Sequence, residues 1–175
     1  GENPEVEEGM ETVFVLGFLA DYALKINSDR GIAKEITVAT LKDVNVWFKN
    51  YMTVTGKIGI GEWDWLRYHY TGNMFRLGRL QFHIIKYDGK EAINTHIPQD
   101  EPLIKSECIA SFDLAREFFK KYFPDCSADR FVCSSWLLSE NLTEILNENS
   151  NIVKFMKLWT KTKVDEDDSE QAKKR

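Results

Sequence analysis

The dipeptide Asp88-Gly89 constrains this chain more than any other feature. It stands between two runs of alternating apolar and polar residues. Such a pair favours a two-residue type I′ turn, because both central positions need positive φ. With those residues as the loop, Tyr87 faces Lys90 and the rest of the register follows by counting. Ile84 then faces Ile93, Phe82 faces Thr95 and Leu80 faces Ile97, making one coherent apolar face. The opposite face sets His83 against Asn94 and Gln81 against His96, with Arg79 beyond them near Pro98. Two of the three histidines of the chain thus fall on one polar face.

That face has two readings. One side of an antiparallel sheet is commonly wet, and then these residues mean little. Exposed strands usually carry Lys, Glu and Thr, however, whereas Arg, Gln, His and Asn suit directed hydrogen bonds. If the face is covered, each unpaired polar group costs about 1–3 kcal/mol, so it must be networked or bind something. His96 ends its strand just before a loop, where sites commonly form. With an ordinary pKa of about 6.5, an imidazole there suits a general base.

Around the hairpin the hydrophobic period changes. Met10 to about Asn27 reads as an apolar helix, closed near Gly31. In "TVATLKDVNVWFKNYMTVTG", Leu41, Val44, Phe48 and Tyr51 recur at helical spacing, and Gly56 closes the run. "GEWDWLRYHYTG" gives a short third helix or turn. Near residues 71–73 the period shifts from 3.6 to 2. The spacing then predicts a strand over 75–86, a strand over 91–97, a helix over 106–123 and a strand over 130–138. A short helix near 140–147 and a strand over 152–163 complete it. The fold class is mixed α/β of the α+β kind, with a mixed central sheet flanked by helices and an N-terminal helical segment. Residues 10–72 form the helical part and 73–164 the α/β core, together one compact domain. Residues 1–9 read as a flexible N-terminal end and 165–175 as a charged tail.

Composition narrows the function classes. A net charge of -5 and a pI near 5.3 argue against nucleic acid as the main partner. Cys108, Cys126 and Cys133 are odd in number and lack CxxC spacing, so neither a disulfide framework nor a metal site is expected. A reducing cytoplasm is the expected compartment. The apolar run "TVFVLGFLADYALKI" follows an acidic stretch rather than the basic start of a signal peptide. Asp21 interrupts it well short of the ~20 apolar residues that span a bilayer, so no membrane partner is expected.

Other stretches carry weaker signals. "HIPQDEPLIKSEC" leads from strand 91–97 to the next helix, with Ser106 as its expected N-cap. A helix N-terminus is a seat for phosphate, although Asp100 and Glu101 oppose an anion if they point inward; structural capping is the plainer reading. "GKIGIG" lacks the flanks of a P-loop and reads as a turn. Cys133, Ser134 and Ser135 are candidate nucleophiles without a GxSxG elbow, and buried strand residues are the plainer reading. Trp63, Trp65 and Trp136 read as core. Arg76 and Arg79 lie three apart on a strand and so point to opposite faces unless Gly78 supplies a bulge.

The blocks "FRLGRLQF", "HIPQDEPL", "SFDLAREFFKKYFP", "VCSSWLL" and "SNIVKF" occur in an order that resembles the GNAT-like C-terminal domain of a bacterial acyltransferase-type family, over about Gly31 to Phe155. The resemblance implies a GNAT-like fold. It also implies that the pantetheine of acetyl-CoA or another acyl-CoA lies between strands 91–97 and 130–138, with its pyrophosphate at the helix near Ser106. Ile97, Ser106 and Glu107 are then the cofactor-binding residues. The usual pyrophosphate signature Q/R-x-x-G-x-G/A is absent, and Ser139 replaces the usual acid after "SWLL". The family implies an N-terminal domain ahead of this one in the same full-length protein, most of which this chain is expected to lack.

Two functions follow. In the first, a small-molecule amine is acylated, with His96 as base and Ser134 or Cys133 protonating the leaving thiolate. Arg79, Gln81, His83 and Asn94 position the substrates. The second is a non-catalytic small-ligand-binding or assembly domain on the same scaffold. A hydrolase using Cys133 is a distant third. Divergence of strands 91–97 and 130–138 separates the first two.

Overall fold

The computed structural model describes residues 4–161, with side chains described from Met10 onward. The tail expected at 165–175 lies outside them. Helices α1 (Pro4–Asp29), α2 (Lys34–Thr55) and α3 (Trp63–Tyr70) come first. Strands β1 (Phe75–Leu77), β2 (Leu80–Tyr87) and β3 (Lys90–His96) follow, then helix α4 (Lys105–Tyr122), strand β4 (Phe131–Val132), a 3₁₀ turn at Trp136–Leu138, α5 (Asn141–Ile145) and α6 (Asn151–Met156). α1 thus starts within the stretch read as a flexible end.

The four strands form one mixed sheet in the order β1-β2-β3-β4, antiparallel except for the parallel β3–β4 pair. The turn is as counted: Asp88 and Gly89 have φ of 50° and 77°, and Tyr87 pairs with Lys90, His83 with Asn94 and Gln81 with His96. On the apolar face Leu80, Phe82 and Ile93 pack with Cys108, Ala115, Phe118 and Phe119 of α4 and Phe155 of α6. Fully burying each such large apolar side chain contributes about 1.5–3 kcal/mol. A second core of Val44, Ile60, Leu66 and Tyr70 joins the three N-terminal helices.

Polar ties lay this helical layer over the other sheet face. Asn27 Nδ2 donates to Thr37 Oγ1 at 3.0 Å inside the α1–α2 contact. Thr40 Oγ1 accepts from the Arg76 backbone N–H at 2.7 Å, joining α2 to β1. Arg30 Nη1 donates to the Gly72 carbonyl in the turn before β1.

Three expected elements differ. The strand over 75–86 is two strands joined by a tight turn, with Leu77 opposite Leu80 and Gly78 at φ 71°. The strand over 130–138 stops at Val132, because Ser135 Oγ accepts from the Leu137 N–H at 3.3 Å and turns the chain into the 3₁₀ segment. The segment read as a strand over 152–163 forms α6 instead, N-capped by Ser150 Oγ on the Val153 N–H at 3.3 Å; residues 162 and 163 lie outside the described part.

Candidate active site

The polar face of the hairpin is covered. Arg79, Gln81 and His83 are 4%, 1% and 6% exposed, while Asn94 and His96 are half-buried. The cover is α3: the Trp65 ring stands edge-on to His96 with centroids 4.5 Å apart, and Tyr68 lies 5.0 Å from His83. The rings of His83 and His96 are within 10° of parallel, and His83 Nδ1 is 2.9 Å from His96 Nε2.

One assignment of tautomers gives both contacts of this pair a donor and an acceptor, the single lone pair of His96 Nε2 being shared between them. Asn94 Nδ2 is an amide donor and lies 3.2 Å from His96 Nε2, which therefore accepts. Two lone pairs cannot face each other at 2.9 Å, so in this assignment His83 Nδ1 carries its proton and points it at His96. The unprotonated nitrogen left over on His83 is Nε2. His96 in turn carries its proton on Nδ1.

Burial sets the charge. Desolvation, with the neighbouring His69, pushes His83 down to about 4. Desolvation, then His83 and His69, pushes His96 down to about 3, against a raising effect from Asp43. Both rings are neutral near pH 7. Because these values lie below the ~6.5 of an unfolded histidine, the native state binds fewer protons between about pH 3 and 6.5. Their contribution to stability is complete above about pH 6.5 and is lost as pH falls through that window. In an NMR titration both imidazole signals are expected to stay constant from about pH 8 to 5.5 and to move only below; an inflection near 6.5 would contradict this burial.

Sequence reasoning missed a second layer. Asp43 of α2 is 6% exposed, and its Oδ2 lies 3.3 Å from Nε2 of the fully buried His69 and accepts from Trp47 Nε1 at 3.2 Å. Burial raises the Asp43 carboxyl, but His69, Trp47 and Trp65 together hold it below the ordinary range. One signal was available: Asp43 stands between Leu41 and Val44 and four residues before Trp47, a helical pairing distance. Trp65, read as core, joins that core and also forms the edge of the site; Trp63 is exposed.

The remaining candidates lie around the pair. Gln81 is buried, and among the described residues neither of its amide atoms has a hydrogen-bond partner. Arg79 reaches the loop after β3, donating Nε to the Pro102 carbonyl at 2.8 Å and Nη2 to those of Pro98 at 2.9 Å and Glu101. Arg76 meets the same loop, with Nη1 3.1 Å from both Asp100 oxygens and Nη2 3.2 Å from Glu101 Oε2. The turn at Gly78 is what lets two arginines three residues apart converge. The acidic pair feared at the helix N-terminus thus has an arginine as its partner.

Pairing between β3 and β4 ends at Asn94–Val132, although β3 runs on to His96 and Ser135 is still extended at φ -159°. Cys133 and Ser134 follow β4 immediately, half-buried and exposed. At the helix beyond, the N-cap is Ile104, not Ser106, and no side chain caps the first turn. Ser106 and Glu107 occupy that turn on the surface, and Ile97 packs against the core.

The comparisons agree with this architecture. Residues 1–72 match the N-acyltransferase N-terminal domain, so the domain expected to be largely missing has a counterpart inside this chain. A crystal structure of an acyltransferase in complex with decanoyl-CoA and teicoplanin is 32% identical, with a TM-score of 0.82 over 87% of this chain and 48% of that one. A structure of an acyltransferase with CoA and 10C-teicoplanin is 31% identical, with a TM-score of 0.82 over 87% and 48%. An acyltransferase with decanoyl-CoA alone is 29% identical, with a TM-score of 0.81 over 88% and 49%. The chain spans about half the length of these proteins. No curated protein sequence matches it. Residues 74–175, more than half of the chain, match the GNAT-like C-terminal domain, and the chain belongs to that family.

Proposed function

We propose that this chain carries out N-acyl transfer from an acyl-CoA to an amine of a small-molecule acceptor, in the cytoplasm. The observation that carries this reading is the early end of the β3–β4 ladder beside a covered histidine pair and ahead of an uncapped helix N-terminus. Pantetheine fits along the unpaired edges of β3 and the segment after β4. Ile97 forms part of that wall, and the N–H groups of Ser106 and Glu107 face the pyrophosphate.

In this reading the amine nitrogen bonds to the thioester carbon, the C–S bond breaks and CoA leaves as thiolate. The amine proton goes to the histidine pair. The tautomers favour His83 Nε2 as the accepting atom, with His96, the base expected from sequence, holding the pair in that state. Backbone N–H groups near Val132–Ser134 stabilise the oxyanion, and Ser134 or Cys133 protonates the thiolate and is reprotonated, through solvent, by the proton the histidine pair took from the amine. Gln81 and Asn94 position the acceptor or thioester, while the guanidinium of Arg79 keeps the loop between slot and helix in place. Acyl-CoA binding by the relatives supports the donor class.

A second reading is a non-catalytic ligand-binding or assembly domain. The acidic, arginine-pinned loop at 98–102, standing where the glycine-rich pyrophosphate loop is usual, favours it. Mixing the chain with acyl-CoA and a primary amine, and following thiol release, separates the two. Release that needs both reagents supports transfer. Acyl-CoA binding with no release supports the binding module.

A further inference from the structure

Helix α1 is apolar on two sides, and the domain packs against only one of them. Ala23 is fully buried, and Leu16, Leu19 and Ala20 pack into the core shared with α2 and α3. On the outward side Met10, Phe14, Phe18 and Tyr22 recur every four residues and form one ridge. Phe14, Phe18 and Tyr22 are 64%, 77% and 54% exposed. At about 200 Å² per aromatic side chain, these three rings leave roughly 400 Å² in water. With Met10, Val13 and Val15, also exposed, the patch reaches roughly 600 Å², the upper end for the largest apolar patch of a monomer.

We infer that this face is a homodimer interface, on which α1 of a second copy lies antiparallel across a twofold axis at Phe18. Charge sets the direction. Glu11 and Lys25 stand seven residues either side of Phe18, two helical turns away and on the same outward face. A twofold at Phe18 therefore sets Glu11 of each copy against Lys25 of the other, and Phe14 against Tyr22. A parallel pairing would set Glu11 against Glu11 and Asp21 against Asp21, which repel.

Gly17, beside the axis, supports a close crossing. Its φ is not positive, and nothing lies within 4 Å of where its Cβ would stand. Glycine inside a helix is destabilising relative to alanine, and the free chain gives it no compensation; at a crossing it lets two backbones approach. Glu11 and Asp21 argue against an anionic lipid surface as the occupant. Two copies remove roughly 1,200 Å² of apolar surface from water, the low end for a specific interface, so a dissociation constant on the order of micromolar is expected.

Sedimentation equilibrium from low micromolar to millimolar concentration tests the interface on the chain, on Phe18→Asp, on Glu11→Lys and on the exchanged pair Glu11→Lys/Lys25→Glu. These positions are exposed, so each variant should fold, and thermal unfolding checks it. The chain should rise from 20.3 kDa towards twice that mass. Phe18→Asp, which sets two carboxylates against each other at the axis, should remain monomeric. Glu11→Lys should weaken the dimer by about tenfold, and the exchanged pair should recover most of that loss. A chain that is monomeric at every concentration would overturn the interface, including one that binds phosphatidylglycerol vesicles through Phe18 instead. A dimer that Phe18→Asp leaves intact would overturn it too. An exchanged pair as weak as Glu11→Lys would contradict the antiparallel register.

Discussion

Replacing His83 with alanine is expected to slow the proposed acyl transfer by a factor of roughly 10², the low end for a positioned general base, since burial lowers the basicity of this ring. Acyl-CoA affinity should change little, because in the proposed mechanism the ring receives a proton rather than holding the donor. His96→Ala should cost a comparable factor by a different route. Without the His96 acceptor, the His83 Nδ1 proton loses its partner and the free nitrogen is no longer fixed at Nε2. His96→Gln separates these roles, since its side-chain oxygen can accept the same proton and restore much of the rate. If His96 were itself the proton acceptor, glutamine would be as slow as alanine, and His83→Gln would be the variant that recovers.

The largest expected effect on stability is at Arg79. Three backbone carbonyls, those of Pro98, Glu101 and Pro102, depend on its guanidinium, and the residue is 4% exposed. Arg79→Ala removes all three bonds and is expected to cost about 3–4 kcal/mol. In a chain of this size that lowers Tm by roughly 10 °C. Arg116→Ala, which breaks an exposed pair with Asp113, should cost under about 0.5 kcal/mol. Thermal unfolding of both variants checks the contrast. An Arg79→Ala protein with unchanged Tm and lost substrate affinity would make Arg79 a ligand contact instead.

The hairpin was legible because its turn chemistry is local. Asp88 and Gly89 demand positive φ, and everything on both faces follows from counting two-residue steps. The turn at Gly78 was harder to see: "LGRL" has no Asn or Asp, and only the third dimension shows Arg79 N–H donating to Ser111 Oγ at 2.7 Å across to α4. The end of β4 and the helix at α6 turned on single serines, Ser135 and Ser150, whose side chains bind backbone in competition with strand pairing. "NIVKF" alternates like a strand, and its cap outweighed the pattern.

The site was half legible for a similar reason. His83, His96, Gln81 and Asn94 share one hairpin, so their grouping follows from register alone. Asp43, Trp65, Tyr68 and His69 reach them from α2 and α3, through tertiary packing that period and spacing do not encode. The same distance explains why the polar face looked as fit for water as for chemistry. Its cover comes from elements written well before it in the chain.

Titration of the chain with CoA, followed by its backbone amide shifts, tests the central claim most directly. Saturable shifts at Thr95–Ile97, Cys133–Ser135 and Lys105–Glu107 are expected, because these segments border the end of the β3–β4 ladder and the first turn of α4. Shifts confined to other surfaces, or none at all, would contradict a cofactor slot beside the histidine pair.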